Sequence, residues 1–386
     1  MRVLNAEITL LELPFRMPVK HATKKRVSCD SVLVRIESED GVVGWGEGAP
    51  RPYVGGEDQQ SVLRELSEVV WPVLAAKEVP NFDGDLRAFL KELDAFLPET
   101  PGDGSVVAHH AARCAVELAL LDCQLRRAGV GLCDALGAAR TRVKYNGMLP
   151  TGGLKVGKFA LGLMKDLEID TVKVKVGDEG DATRIKMVRE VLGEGVRVLA
   201  DVNGIWTAQE AEAADQRFKE LGVILLEQPL PRGPASELAA LRSSTSIPIM
   251  VDESLVTLED ARRLIEVQAC DVFNVRLSKC GGLARSLDFI ELARAGGLDW
   301  QLGAHVGETA ILSAVGRALA LSVTDSLFVE GSVGEWLLEE DLCVPPVQFG
   351  PDAYGERLAG PGLGIEVLEE RVARYAVHTV LLGEKK

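Results

Sequence analysis

Two textures of apolar and polar positions divide the chain. Over residues 1–13 apolar side chains alternate with polar ones at a period of two, the pattern of a strand buried on one face. Ser31–Glu37 and Val42–Gly46 read as two more strands, on either side of Ser38-Glu-Asp-Gly41, a hairpin signal. Pro14 to Arg26 is polar and basic and is expected to be a loop. So is Ala49 to Asp58, which holds two prolines and two adjacent glycines. Helical patterns follow near 59–76, 84–96 and 106–128. In the last, Ala112, Ala115, Val116, Ala119, Leu120 and Cys123 recur at helical spacing before Gly129. Three strands followed by helices predict an N-terminal α+β domain over residues 1–130.

From Val143 the texture changes. Strand-like runs recur at Val143–Leu149, Thr171–Val176, Val196–Val202, Gly222–Glu227, Ile247–Val251, Val272–Leu277, Leu298–Leu302 and Ser326–Val329, with helical patterns between them. Eight βα units at a period of about 25 residues predict an α/β fold of the (β/α)8-barrel type over residues 131–344. An open doubly wound sheet is the rival. No Gly-x-Gly-x-x-Gly follows any strand, which weakens its dinucleotide-binding version. Residues 345–386, with a Gly/Pro-rich stretch and strand-like segments, are expected to return to the N-terminal domain.

Composition narrows the partners. The chain has 386 residues and a formal net charge of −15, which argues against nucleic acid and anionic membranes and leaves a small molecule. The seven cysteines are scattered, odd in number and form no Cys-x-x-Cys pair, so reduced thiols in a cytoplasmic protein are expected. The start of the chain carries Glu7 and Glu12 and does not read as a signal peptide. The longest uncharged apolar runs are shorter than a membrane span.

The candidate chemistry begins at Thr171-Val-Lys-Val-Lys-Val176. Side chains two apart on a strand point the same way, so Lys173 and Lys175 share one face. An exposed strand with a polar outer face would explain them, were it not for three later strand ends. Asp201, Glu227 and Asp252 close the third, fourth and fifth runs, 26 and 25 residues apart. A single acidic strand end usually caps the next helix. Three in register on adjacent strands, at the barrel end where chemistry is placed, converge on one point. Hard oxygen ligands of this kind suit Mg2+, with Mn2+ as the alternative ion. Lys279, at the end of the sixth run, would stand across the barrel from Lys175. Together they suggest proton removal next to a metal-bound carboxylate, with Lys173 and the metal meeting the enediolate charge. Clustered cations and burial are expected to lower the lysine pKa values.

These residues resemble the muconate lactonizing enzyme subgroup of the enolase superfamily. The likeness rests on Lys-x-Lys, the Asp, Glu and Asp on successive strands, and Lys279 in a Ser-Lys-x-Gly-Gly context. It extends to Ala115-Val-Glu-Leu-Ala-Leu-Leu-Asp122 and Gly44-Trp-Gly-Glu-Gly-Ala-Pro50. The resemblance implies an enolase-like modified barrel under a capping domain, whose loops near 15–26 and 49–57 close over substrate. It implies Lys175 and Lys279 as an acid/base pair, Lys173 on the substrate carboxylate, and Asp201, Glu227 and Asp252 as metal ligands. Asn203 and Glu253 would support the metal or touch substrate, with Glu253 beside Lys279. His305 is read as a polar pocket wall. Glu308 either contacts substrate or begins the following helix. The dipeptide epimerases of this family carry Asp-x-Asp on the eighth strand, where this chain has only Glu330, while His21–Arg26 offers positive charge for a second anionic group. The activity implied is cycloisomerisation of a muconate-like diacid, or racemisation or epimerisation of acyl-amino acids or dipeptides, by a homo-oligomer. A dehydratase similar to o-succinylbenzoate synthase or acting on a sugar acid is the near alternative. A barrel that binds a metal and a carboxylate without turnover is the non-enzymatic one.

Overall fold

A computed structural model describes residues 1–20, 25–152 and 154–383. The chain opens with an antiparallel sheet. Strands Val3–Lys20, Lys25–Ser38 and Val43–Gly48 lie side by side, and the late strand Ala376–Gly383 pairs with the free edge of the first. The expected loop from Pro14 to Arg26 is therefore largely strand. Pro14 cannot donate to a ladder, and the pairing accommodates it with a register shift between Pro14 and Val19. His21–Lys24, the middle of the basic segment, lies outside the described residues.

One face of this sheet explains the Gly-x-Gly-x-Gly run. Gly44, Gly46 and Gly48 point the same way, and the helix His110–Ala128 rests directly on them. A Cβ at Gly46 would meet the backbone carbonyl of Ala115, and one at Gly48 that of Ala111. Ala111, Ala115, Ala119 and Cys123 are the small residues that the helix presents at four-residue spacing. Backbone thus packs on backbone. The helix ends at Gly129, which takes the left-handed conformation at φ 67°.

The second body is a parallel sheet of seven strands in sequential order, from Gly147–Leu149 to Asp299–Leu302. The expected first strand, Val143–Leu149, divides in two. Arg142–Lys144 pairs antiparallel with Tyr354–Glu356, and only Gly147–Leu149 enters the barrel. The eighth run forms a single bridge, Leu302 to Val329. Its backbone nevertheless bonds on both sides: Leu302 N–H donates to Phe328 O at 3.1 Å and Asn146 N–H to Val329 O at 2.9 Å. The last and first strands are so joined and the ring closes.

Register fixes what fills the barrel. Lys173 is aligned with Leu199, and Lys175 with Asp201. Leu199 is aligned in turn with Leu225, and Asp201 with Glu227. Leu199, Leu225, Met250, Val272 and Phe328 form a separate buried apolar cluster. One pleat further toward the C-terminal ends, the same inward face carries charge. No helix among the described residues is long and apolar enough to cross a membrane.

Candidate active site

Above the apolar cluster stands a layer of buried ions. Asp201, Glu227 and Asp252 are fully buried at the ends of three neighbouring strands. Each turns toward a cation. Lys175 Nζ donates to Asp201 Oδ2 at 2.6 Å and to Asn203 Oδ1 at 2.8 Å. Lys173 Nζ lies 2.9 Å from Glu227 Oε2, 2.7 Å from Glu330 Oε1 and 3.6 Å from Asp201 Oδ2. Lys279 Nζ donates to Asp252 Oδ1 at 2.8 Å, to the Asp252 carbonyl at 2.9 Å and to the Asn274 carbonyl at 2.6 Å. Among the described residues, no three acidic, His or Cys side chains stand together as a ready coordination shell.

The electrostatics follow from this arrangement. Burial opposes the Lys173 ammonium, but Glu227, Glu330 and Asp201 outweigh it and hold its pKa above the ordinary lysine value. The expected lowering is thus reversed for Lys173, because its neighbours are carboxylates more than cations. Burial also opposes ionisation of Asp252 and Asp201. Arg276 and Lys279 overcome it at Asp252, and Lys175 and Lys173 at Asp201, so both carboxyls stay below the usual range. Glu227 is pushed up to about 7 by burial and by Asp201. Glu253 is pushed up to about 8 by burial, Asp252 and Asp201.

The remaining expected residues line the same layer. Asn203 adopts φ 53°, a conformation that Asn tolerates better than most. Its side chain bridges Lys175 and Glu253, donating to Glu253 Oε1 at 3.4 Å. Glu253 accordingly faces Asn203, whereas the bonds of Lys279 go to Asp252 and Asn274. His305 is buried, with Nδ1 at 3.4 Å from Arg276 Nη1. Burial and that guanidinium hold it neutral, well below the ordinary histidine pKa. Glu308 accepts from the His305 backbone N–H at 2.6 Å, and burial raises it to about 8.

Three further side chains shape the site, none singled out by the sequence reading. Arg276 contacts Asp252 and Glu227 as well as His305. Asn274 donates to Glu227 Oε1 at 2.7 Å. Their spacing of two, Asn274 on the sixth strand and Arg276 just past its end, was the available signal, since it puts both on the inward face. The third is Glu47, from the Gly-rich strand. It accepts from Thr309 N–H at 3.1 Å and from Leu312 N–H at 3.2 Å, and so serves the N-terminus of the helix Ala310–Ser322, whose cap residue is Thr309. The N-terminal domain supplies the carboxylate that Glu308 was one candidate to provide.

The geometry has counterparts among known proteins. Residues 155–371 match the family model of the enolase C-terminal domain-like type. Residues 5–137 match the mandelate racemase / muconate lactonizing enzyme N-terminal domain. The chain belongs to the mandelate racemase/muconate lactonizing enzyme family of the enolase superfamily. It is 30% identical to a hydrophobic dipeptide epimerase of Enterococcus faecalis (strain ATCC 700802 / V583) over 287 residues, 74% of this chain and 77% of that one. It is 29% identical to muconate cycloisomerase 1 of Rhodococcus opacus over 385 residues, covering 97% of this chain and 98% of that one. The crystal structure of 2-chloromuconate cycloisomerase from Rhodococcus opacus 1CP superposes with a TM-score of 0.86 at 27% identity, covering 98% of this chain and all of that one. With such relatives, this member of the superfamily is an isomerase.

Proposed function

We propose that the chain is a divalent-metal-dependent isomerase that removes a proton from the carbon next to a substrate carboxylate and returns one. The observation that carries this reading is the pairing of two buried lysines with two different carboxylates. Lys175 is bound to Asp201 from the second strand, Lys279 to Asp252 from beyond the sixth, and Glu227 stands on the strand between those carboxylates. A carboxylate-binding scaffold needs positive charge but not two opposed amines.

The donor set fits a hard cation. Asp201, Glu227 and Asp252 offer only oxygen, and Glu227 Oε2 and Asp252 Oδ2 are held by the ion pairs to Lys173 and Arg276 rather than by aligned hydrogen bonds. A donor set of carboxylate oxygens alone suits Mg2+ or Mn2+. When bound there, the ion polarises the substrate carboxylate and offsets the charge that develops on it. The rest falls to the chain. Lys173 meets that charge as an ammonium, the state its neighbours enforce. Lys175 and Lys279, as amine on one side and ammonium on the other, take and give the proton. Asn203 orients Lys175, and Asn274 orients Glu227.

Glu330 bears on the substrate. Its carboxylate is 2.7 Å from Lys173 and stands where an Asp-x-Asp pair is absent, so little free negative charge remains for an α-ammonium. A muconate-like diacid or an N-acyl-amino acid suits the site better than a free dipeptide. The test is proton NMR of pools of these acids in D2O with enzyme and Mg2+. Loss of an α-proton signal without a new product supports racemisation. Lactone resonances support cycloisomerisation. No exchange in any pool, with Mg2+ bound, overturns this substrate reading.

A further inference from the structure

The two acid/base lysines are mounted differently. Lys175 sits within a strand, its backbone held by the ladder with residues 197–201. Lys279 sits on a single turn, Leu277–Cys280, that ends in Gly281 and Gly282, both at positive φ. A turn of four residues has too few internal bonds to hold its own position. Its outward side is held by the N-terminal domain, residue after residue. Ala49 N–H donates to Ser278 Oγ at 2.8 Å. His110 Nδ1 lies 2.7 Å from the carbonyl oxygen of Lys279 itself. Glu117 accepts from Leu283 N–H just beyond the glycines, and a Cβ on Gly282 would collide with its carboxylate.

His110 is the decisive member. A helix end leaves carbonyls without partners, and that of Lys279 is one. A carbonyl only accepts, so Nδ1 carries the proton. Nε2 is then an acceptor, and Arg285, which can only donate, faces it at 3.4 Å. Arg285 is fixed in turn by Asp94 and Glu99. Burial pushes the imidazole pKa down to about 4, so the ring keeps this neutral, single-tautomer form across the working pH range.

We propose that His110 is a positioning residue for Lys279: from the N-terminal domain it fixes the backbone from which that lysine reaches the substrate. The inference rests on reading Lys279 as one of the two acid/base groups. It adds that one face of the reaction is built by the barrel alone and the other jointly by two domains.

The test compares His110→Leu, which removes the donor, with His110→Asn, whose side-chain amide can reach the same carbonyl. The first readout is solvent deuterium exchange into each enantiomer of a turned-over acid. His110→Leu is expected to cut kcat about a hundredfold for the hand whose proton faces Lys279. The hand facing Lys175 keeps its exchange and KM stays within severalfold. His110→Asn restores most of the loss. Equal loss on both hands, or no loss, overturns the proposal. The second readout needs no substrate: trace acetylation of the intact protein, with lysine-containing peptides quantified by mass spectrometry. Lys279 is expected to label severalfold faster in His110→Leu, with Lys175 unchanged. Unchanged Lys279 labelling, or a parallel rise at both lysines, overturns the proposal. A wild-type protein that exchanges no acid, with the labelling shift present, refutes the functional reading and leaves the positioning role standing.

Discussion

Lys173 Nζ and Glu330 Oε1 lie 2.7 Å apart, joining the second strand of the barrel to the last run that closes it. A substrate carboxylate approaching Lys173 must compete with Glu330 for the same ammonium. Glu330→Gln removes the competing charge while keeping the shape. The inhibition constant of a simple diacid such as succinate is expected to fall severalfold in this variant. An unchanged or higher constant would show that Lys173 does not receive the substrate carboxylate.

Lys175→Ala is expected to abolish α-proton exchange on the face it serves, by about 10³-fold or more, as for other general bases. Its ammonium is bonded to Asp201, yet Asp201 also lies 3.6 Å from Lys173. Mg2+ affinity, followed by calorimetric titration, should therefore stay within severalfold. Loss of the metal together with the exchange would assign Lys175 to the metal site.

Asp252→Asn removes one anionic oxygen donor, takes away the carboxylate partner of Lys279 and leaves Arg276 with Glu227 alone. Metal affinity is expected to drop at least tenfold, read from the same titration. An unchanged Mg2+ isotherm would exclude Asp252 as a ligand.

Stability should carry the mark of Glu117. Burial raises its pKa from 4.5 to about 7, and its Oε2 has no hydrogen-bond partner. The folded state therefore holds this proton more tightly than the unfolded chain. The stabilisation is complete below about pH 4.5 and is lost as pH rises through about 7. The upper bound is about 3 kcal/mol. Glu117→Gln keeps an acceptor for Leu283 and Ala284 and removes the ionisation. Urea midpoints between pH 4.5 and 7.5 should fall less steeply for the variant than for wild type. Parallel curves would show that Glu117 does not titrate in this window.

Much of this architecture is legible in the sequence, and the places where it is not share a cause. The period-2 and βα patterns report which side of an element is buried, and that information is local. It suffices for the barrel and for placing Lys173, Lys175, Asp201, Glu227 and Asp252 on one inward face. The division of Val143–Leu149 is set by Tyr354–Glu356, more than two hundred residues away. Pro14 reads as a strand stop, yet a register shift just beyond it on its own strand absorbs it and the pairing resumes at Val19. Glu47, Glu117 and His110 sit in runs that suggest only a strand and a helix. Their polar partners belong to another part of the chain, and no local periodicity reports a partner. Arg276 was visible by the same two-residue rule that picked out Lys173, but as a cation at a strand end it gives no sign of which carboxylates it will meet.

The glycine-lined face of the first sheet has a consequence for engineering. Ala115 and Ala119 lie against Gly44 and Gly46 with no side chain as a cushion, and the same helix carries His110 and Glu117. Sheet, helix and the Lys279 turn therefore form one dimensional chain of fits. A foreign N-terminal half whose helix rode even one methyl group higher would arrive with its histidine and glutamate displaced from their seats. Chimaeras between relatives should be cut at the loop tips, leaving this stack undivided.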